Sequence, residues 1–160
     1  MLSAPDFFYE QSAAFPSFRA EKIAGTGFYR YIGGDDDRLQ ILQADIFSPL
    51  LTRELVGGNA VSDGVAAVWD RASLVAVQPA MRDAYITAIK RLCGPRTQIL
   101  LNVFTYDQAA MAGPPFSVTD AHLAELLPAA EGWNIKLLGS GPAKAGSMMV
   151  TSNDYIIHKE

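Results

Sequence analysis

Residues 98–106 read QILLNVFTY, a stretch in which nearly every side chain is apolar or β-favouring. A half-exposed strand alternates apolar and polar positions. A strand covered on both faces has no polar side, and such strands belong to parallel sheets flanked by helices. The run therefore predicts a central strand and, with it, an α/β architecture. Residues 79–92 place Met81, Tyr85, Ala88, Ile89 and Leu92 at helical spacing, with Pro79 suited to the first turn and Gly94-Pro95 to the stop. Ahead of that helix, residues 65–70, VAAVWD, form a second apolar run that ends on the charged pair Asp70-Arg71. Strand, helix and strand in this order make a right-handed βαβ unit.

Residues 28–32 (FYRYI) and 39–45 (LQILQAD) are strand-like and are separated by the turn-rich stretch Gly33-Gly34-Asp35-Asp36-Asp37-Arg38, so a hairpin is expected. Ser117 precedes a helical run over 118–127, with Asp120 three residues on as a capping-box partner and Leu123, Leu126 and Leu127 as the buried stripe. The tail offers strands at 134–138 and 148–158 with a Gly- and Pro-containing stretch, 139–146, between them. An antiparallel pair ending the sheet is expected. No repeat, low-complexity tract or linker divides the chain, which reads as a single domain over residues 1–160.

Lys plus Arg is 13 against 17 for Asp plus Glu, a net charge of -4, so no positive excess is available to neutralise phosphates and nucleic acid is not an expected partner. Mean hydropathy is +0.11, high for a chain without a membrane span. Because no run of ~20 apolar residues occurs, the excess belongs in a core and no membrane partner is expected. Cys93 is the only cysteine, which fits a reducing, cytoplasmic compartment. The first residues, with Asp6 amid the apolar part and no basic residue before it, do not read as a signal peptide.

His122 and His158 are the only histidines, so neither an imidazole triad nor a metal site is supported. Cys93 closes an amphipathic helix and reads as a small core residue. The acidic run 35–37 reads as a solvated turn rather than a calcium loop. Gly25-Thr26-Gly27 precedes a strand instead of following one, and the glycines at 141 and 146 lack the lysine of a phosphate loop; both are turns. Asp70-Arg71 differs by position, at the carboxyl end of a parallel strand, the edge where open α/β sheets bind ligands. It is either a ligand site or a loop ion pair. The same edge should carry Asp45 with Ile46, and Thr105 with Tyr106-Asp107. Gly113-Pro114-Pro115-Phe116 supplies a stiff turn beside them.

These residues together resemble the thiopurine S-methyltransferase family. The resemblance rests on Trp69-Asp70-Arg71-Ala72-Ser73-Leu74, the helix start at residues 79–82, Tyr106-Asp107-Gln108 and Ala112-Gly113-Pro114-Pro115-Phe116, and weaker similarity runs back to Phe7-Phe8-Tyr9-Glu10. It implies a Rossmann-like class I methyltransferase sheet, S-adenosylmethionine as cofactor, and methyl transfer to a thiol or similar soft nucleophile of a small molecule. By resemblance, Asp45 and Ile46 would contact the adenine, Asp70 and Arg71 would lie against the cofactor, and Arg71 would stand between cofactor and substrate as the catalytic group. Tyr106, Asp107, Pro114, Pro115 and Phe116 would wall the substrate pocket. An acidic thiol needs no strong base, and a guanidinium can hold the thiolate while the sulfonium methyl is attacked in line.

In the family, Phe7-Phe8 belongs to a helix that follows two strands carrying the glycine-rich cofactor loop and the ribose-binding acid. The family motif resembling V-P-L-C-G-K is not among these residues, so the chain resembles a member truncated at its N-terminus. The sheet would then lack two central strands, which leaves the 65–70 strand with unpaired backbone groups along an apolar edge. That edge is expected to pair with the 39–45 strand directly or with a second copy in a homodimer. A remnant that binds a small molecule or itself without catalysis is the alternative function.

Overall fold

A computed structural model describes residues 19–33, 38–57 and 65–160. They fall into two compact units, 1–51 and 52–160, although no composition shift in the sequence marks the division. The first holds a three-stranded antiparallel sheet of β1 (Arg19–Lys22), β2 (Tyr29–Gly33) and β3 (Leu39–Gln43), in that order. The expected hairpin is β2–β3, with Tyr29 opposite Gln43 and Gly33 opposite Leu39. Its register is reinforced by the Tyr31 hydroxyl, which donates to Gln43 Oε1 at 2.9 Å. Strand β1 was not legible, because its four residues, RAEK, are all exposed and carry no alternation. Gly25, at φ 74, turns the chain between β1 and β2, and the Thr26 hydroxyl donates to the Ile23 carbonyl and accepts from the Phe28 amide. The acidic run at 35–37 lies outside the described residues.

The second unit is α/β with a mixed four-stranded sheet. It contains α1 (Arg53–Gly57), β4 (Val65–Arg71), α2 (Ser73–Ala76), α3 (Arg82–Leu92), β5 (Cys93–Thr105), α4 (Asp120–Leu126), β6 (Trp133–Ala145) and β7 (Met148–Lys159). The strand order is β4-β5-β7-β6. The βαβ unit is present as expected: β4 and β5 are parallel, with Asp70 opposite Leu101, and α3 crosses between them. The C-terminal antiparallel pair is present too, but longer than expected. Residues 139–145, expected as loop, continue β6, and only Gly146 and Ser147 turn the chain. Gly146, at φ 62, with Ser147 outside the left-handed region, supplies the two-residue hairpin turn that needs glycine first. Glycine and proline weaken the strand signal in sequence, yet a partner as long as β7 overrides it.

Ile99, Leu101 and Val103 of β5 are buried together with Tyr155 and Ile157 of β7. Ile86 and Ile89 of α3, Leu127, Ile99, Leu101 and Ile157 enclose a residual space of ≈ 10 Å³, at the lower limit for one water. This is the core, and at full burial each such side chain contributes roughly 1.5–3 kcal/mol. The other face of β5 departs from the expectation of two covered faces. Cross-strand register sets Trp69, Leu100 and Ile156 in one row, and Trp69 is 70% exposed and Leu100 38%. Within this row no described element lies over Trp69.

Direct closure of the sheet is also overturned. Strand β3 pairs with β2 in a separate sheet, and β4 has β5 as its only strand neighbour among the described residues. The helix cap is corrected as well: Thr119, not Ser117, caps α4. Its hydroxyl accepts from the His122 amide at 3.3 Å while His122 Nδ1 accepts from the Thr119 amide at 3.2 Å. Ser117 is turned inward instead, where its hydroxyl accepts from the Tyr106 amide at 3.0 Å.

Candidate functional site

The carboxyl end of β4 is built around Asp70, which is only 5% exposed. Its Oδ1 accepts from the Ser73 amide at 2.8 Å and its Oδ2 from the Tyr85 hydroxyl at 2.8 Å. One carboxylate therefore ties the start of α2 and the middle of α3 to the end of β4. The turn between is tight enough to hold Ala72 at φ 62, left-handed for a residue with a Cβ, at a cost of roughly 1–2 kcal/mol. Its amide donates to the Asn102 carbonyl of β5 at 3.2 Å. Tyr85 is held neutral, its pKa pushed well up by burial and by the carboxylate beside it. Arg71, next in the chain, is exposed, and its guanidinium has no hydrogen-bond or ion-pair partner among the described residues. The pair is thus not an ion pair. Asp70 faces inward to hold the turn, and Arg71 presents a free cation at the strand end.

One strand over, Tyr106 and Asp107 follow the end of β5, and the Gly113-Pro114-Pro115-Phe116 turn folds back beside them. The Tyr106 hydroxyl donates to the Pro115 carbonyl. Gln108 organises the loop: its amide donates to the Tyr106 hydroxyl at 3.0 Å and to the Met111 carbonyl at 2.6 Å, and its Oε1 accepts from the Ser117 amide at 2.8 Å. Both Gly113-Pro114 and Pro114-Pro115 are cis. Phe116 is anchored through its amide to the Val75 carbonyl at 2.6 Å, and its ring lies where a Cβ on Gly113 would stand, 2.5 Å from Cδ1. Arg82 holds the far side of the turn. It is 5% exposed, and its Nη2 donates to the Ser117 carbonyl at 3.1 Å while Nε has no partner among the described residues. Burial lowers its pKa, and Tyr106 works against that shift.

An open cleft of ≈ 590 Å³ lies beyond Tyr106 and Asp107, closed on the other side by Gly141, Pro142 and Met148–Thr151 of the β6–β7 hairpin. Of the expected pocket residues it takes in Tyr106 and Asp107. Pro114, Pro115 and Phe116 form the adjoining turn and do not line it. Asp45 and Ile46 follow β3 in the first unit, where Asp45 Oδ1 accepts from the Phe47 amide at 2.9 Å and leaves the Ile46 side chain half-buried. Among the described residues, no three His, Cys, Asp or Glu side chains cluster as metal ligands would.

Sequence reasoning passed over Gln108, Arg82 and Tyr85 as organisers. Tyr85 reads as one more apolar position of a helix stripe, and nothing local marks that its hydroxyl meets Asp70. Only Gln108 had a local signal, an amide side chain in a polar turn next to the end of a strand.

The family profile described as thiopurine S-methyltransferase (TPMT) matches residues 6–149. The chain belongs to the thiopurine S-methyltransferase family. A relative named thiopurine S-methyltransferase from Bos taurus is 32% identical over 125 residues, 78% of this chain and 46% of its own length. One from Pseudomonas fluorescens strain Pf0-1 is 32% identical over 133 residues, 83% of this chain and 52% of its own. One from Nitrosospira multiformis reaches 48% over a shorter 62 residues. The chain thus spans about half the length of the curated relatives it matches. A solved N1-methyltransferase from Burkholderia thailandensis, titled as bound to 1,6-didemethyltoxoflavin and S-adenosylhomocysteine, aligns at TM-score 0.39 and 18% identity over 63% of this chain and 48% of its own.

Proposed function

We propose that this chain acts as an S-adenosylmethionine-dependent methyltransferase that transfers a methyl group to a thiol or related soft nucleophile of a small molecule. The observation that carries it is the free guanidinium of Arg71 at the carboxyl end of β4, one strand from the cleft that opens at Tyr106 and Asp107. The residues present fit the cofactor in part. Within the second unit, Arg71 offers an uncommitted cation for an anionic group. Asp70 supports the site indirectly, by fixing the turn that presents Arg71. When bound, S-adenosylmethionine supplies an electrophilic methyl group.

The chain's own part is to hold the nucleophile. A thiol that ionises near neutral pH needs charge stabilisation more than proton removal, which is what a guanidinium at a strand end provides. Tyr106 and Asp107 present one polar edge to the cleft, while Met148 and Met149 offer soft, adaptable apolar surface across from them. A cytoplasmic location is consistent with this role and with the lone cysteine; among the described residues, no helix is long and apolar enough to cross a membrane.

Calorimetric titration of the chain with S-adenosylhomocysteine tests the reading. Saturable heat is expected, and its absence at millimolar ligand rejects autonomous cofactor binding. Where transfer is measurable, Arg71→Ala should lower the rate more than it lowers cofactor affinity, and the opposite ranking contradicts the role given to Arg71.

A second reading, a non-catalytic remnant that associates with itself, is favoured by one feature. Among the described residues, strand β4 lies at the edge of its sheet with Trp69 70% exposed, a template that a second copy could extend as a homodimer. A concentration-dependent mass by light scattering supports it, and a monomer at high concentration removes it.

A further inference from the structure

Four elements of the second unit converge at the amino end of β5 on a hollow of ≈ 310 Å³. Arg53 comes from α1, Lys90 from the last turn of α3, Trp133 from the start of β6 and Lys159 from the end of β7. The Lys90 and Lys159 ammonium groups stand 5.5 Å and 5.8 Å from the centroid of the same Trp133 ring, so the buried indole holds both in place. Glu131 is the carboxylate among the lining residues, and it bonds Lys90 at 3.0 Å. Arg53 and Lys159 have no hydrogen-bond or ion-pair partner among the described residues. Cys93 on the floor stays a neutral thiol, its pKa pushed up to about 11 by burial, and adds no negative charge.

Three cations against one carboxylate leave a formal excess of two positive charges in a concave site. The carboxyl end of α3 offsets only about half a charge of it. We infer that this hollow binds a compact dianion of the phosphate-monoester kind, held by Arg53, Lys90 and Lys159. Two charges on the ligand balance the excess, and the fork of Arg53 suits two phosphate oxygens at once. The volume accommodates the phosphoryl group with a small organic body. Strand pairing puts Cys93 beside Val65 and Arg71 beside Asn102, at opposite ends of β4 and β5. The two places lie on the order of 25 Å apart by strand rise, so this ligand and a reactant at Arg71 do not compete for space.

Trp69 and Trp133 are the two tryptophans, so Trp69→Phe leaves Trp133 as the single emitter. In that background, emission is followed during titration with phenyl phosphate and with inorganic phosphate, each against chloride at matched ionic strength. Saturation by ~10 mM is expected for both phosphates and not for chloride. Lys159→Gln, at an exposed position, should weaken the response ~10-fold or more, and Lys159→Glu should abolish it. Arg53→Gln should act in the same direction, with urea unfolding confirming that each variant is folded. A response that chloride reproduces, one unchanged by Lys159→Glu, or no saturation with either phosphate overturns the assignment. Saturation with inorganic phosphate alone keeps the oxyanion site and removes the organic body from it.

Discussion

Tyr85→Phe is the sharpest test of how the Arg71 turn is held. The substitution removes one oxygen and leaves the ring in place, so α3 keeps its packing. What is lost is the 2.8 Å hydrogen bond to Asp70 Oδ2, inside a side chain that is 5% exposed and has little water to take over. A hydrogen bond to a charged acceptor is worth roughly 1.5–3 kcal/mol. A loss of roughly 2 kcal/mol in a chain of this length lowers Tm by roughly 4–8 °C. Thermal and urea unfolding measure it, and Asp70→Asn completes a double-mutant cycle with an expected coupling of ~1–2 kcal/mol. The pH dependence carries its own sign. The Tyr85 phenol is raised in the folded state above its ordinary 10.0. Its contribution is therefore complete below pH 10 and lost as pH rises towards the folded value, so parent and variant converge in alkali. If Tyr85→Phe unfolds within ~0.5 kcal/mol of the parent at neutral pH, the carboxylate is not what ties α3 to the strand end.

Gly113→Ala should destabilise by roughly 1–3 kcal/mol, because its Cβ would stand 2.5 Å from Phe116 Cδ1 at a backbone φ of 89; urea unfolding checks it, and an unchanged midpoint contradicts the packing described. Leu101→Ala should cost roughly 2–5 kcal/mol as a cavity opens between α3 and β7, read by the same assay. Cys93 should resist alkylation at pH 8 in the folded chain and react on unfolding, since burial raises its thiol from 9.0 to about 11. The stability linked to that proton should be present below pH 9 and fall away between pH 9 and 11, measured as an alkaline loss that Cys93→Ala lacks.

The elements legible in the sequence were those whose signal is local and periodic. The apolar run at 98–106, the stripe from Met81 to Leu92 and the alternation around FYRYI each repeat at the period of the structure they form. Strand β1 and the glycine-containing half of β6 were not legible. RAEK has no pattern, and residues 139–145 owe their extension to pairing with β7. Of the site, the sequence marked the ends of β4 and β5 because topology alone puts ligands at that edge.

Chain order and hydrophobic period thus determined the βαβ unit, the closing antiparallel pair and the position of Arg71, since these depend on which residues follow one another. Only the tertiary structure decided the division of labour within Asp70-Arg71, because that depends on a hydroxyl arriving from α3, fifteen residues on. It alone decided that β3 belongs to another sheet and that Trp69 lies exposed on a strand with one neighbour among the described residues. It also drew Arg53, Lys90 and Lys159 to one hollow, the two lysines over the Trp133 indole. Charges brought together from separate elements leave no trace in local sequence, for nothing in spacing along the chain encodes proximity across it.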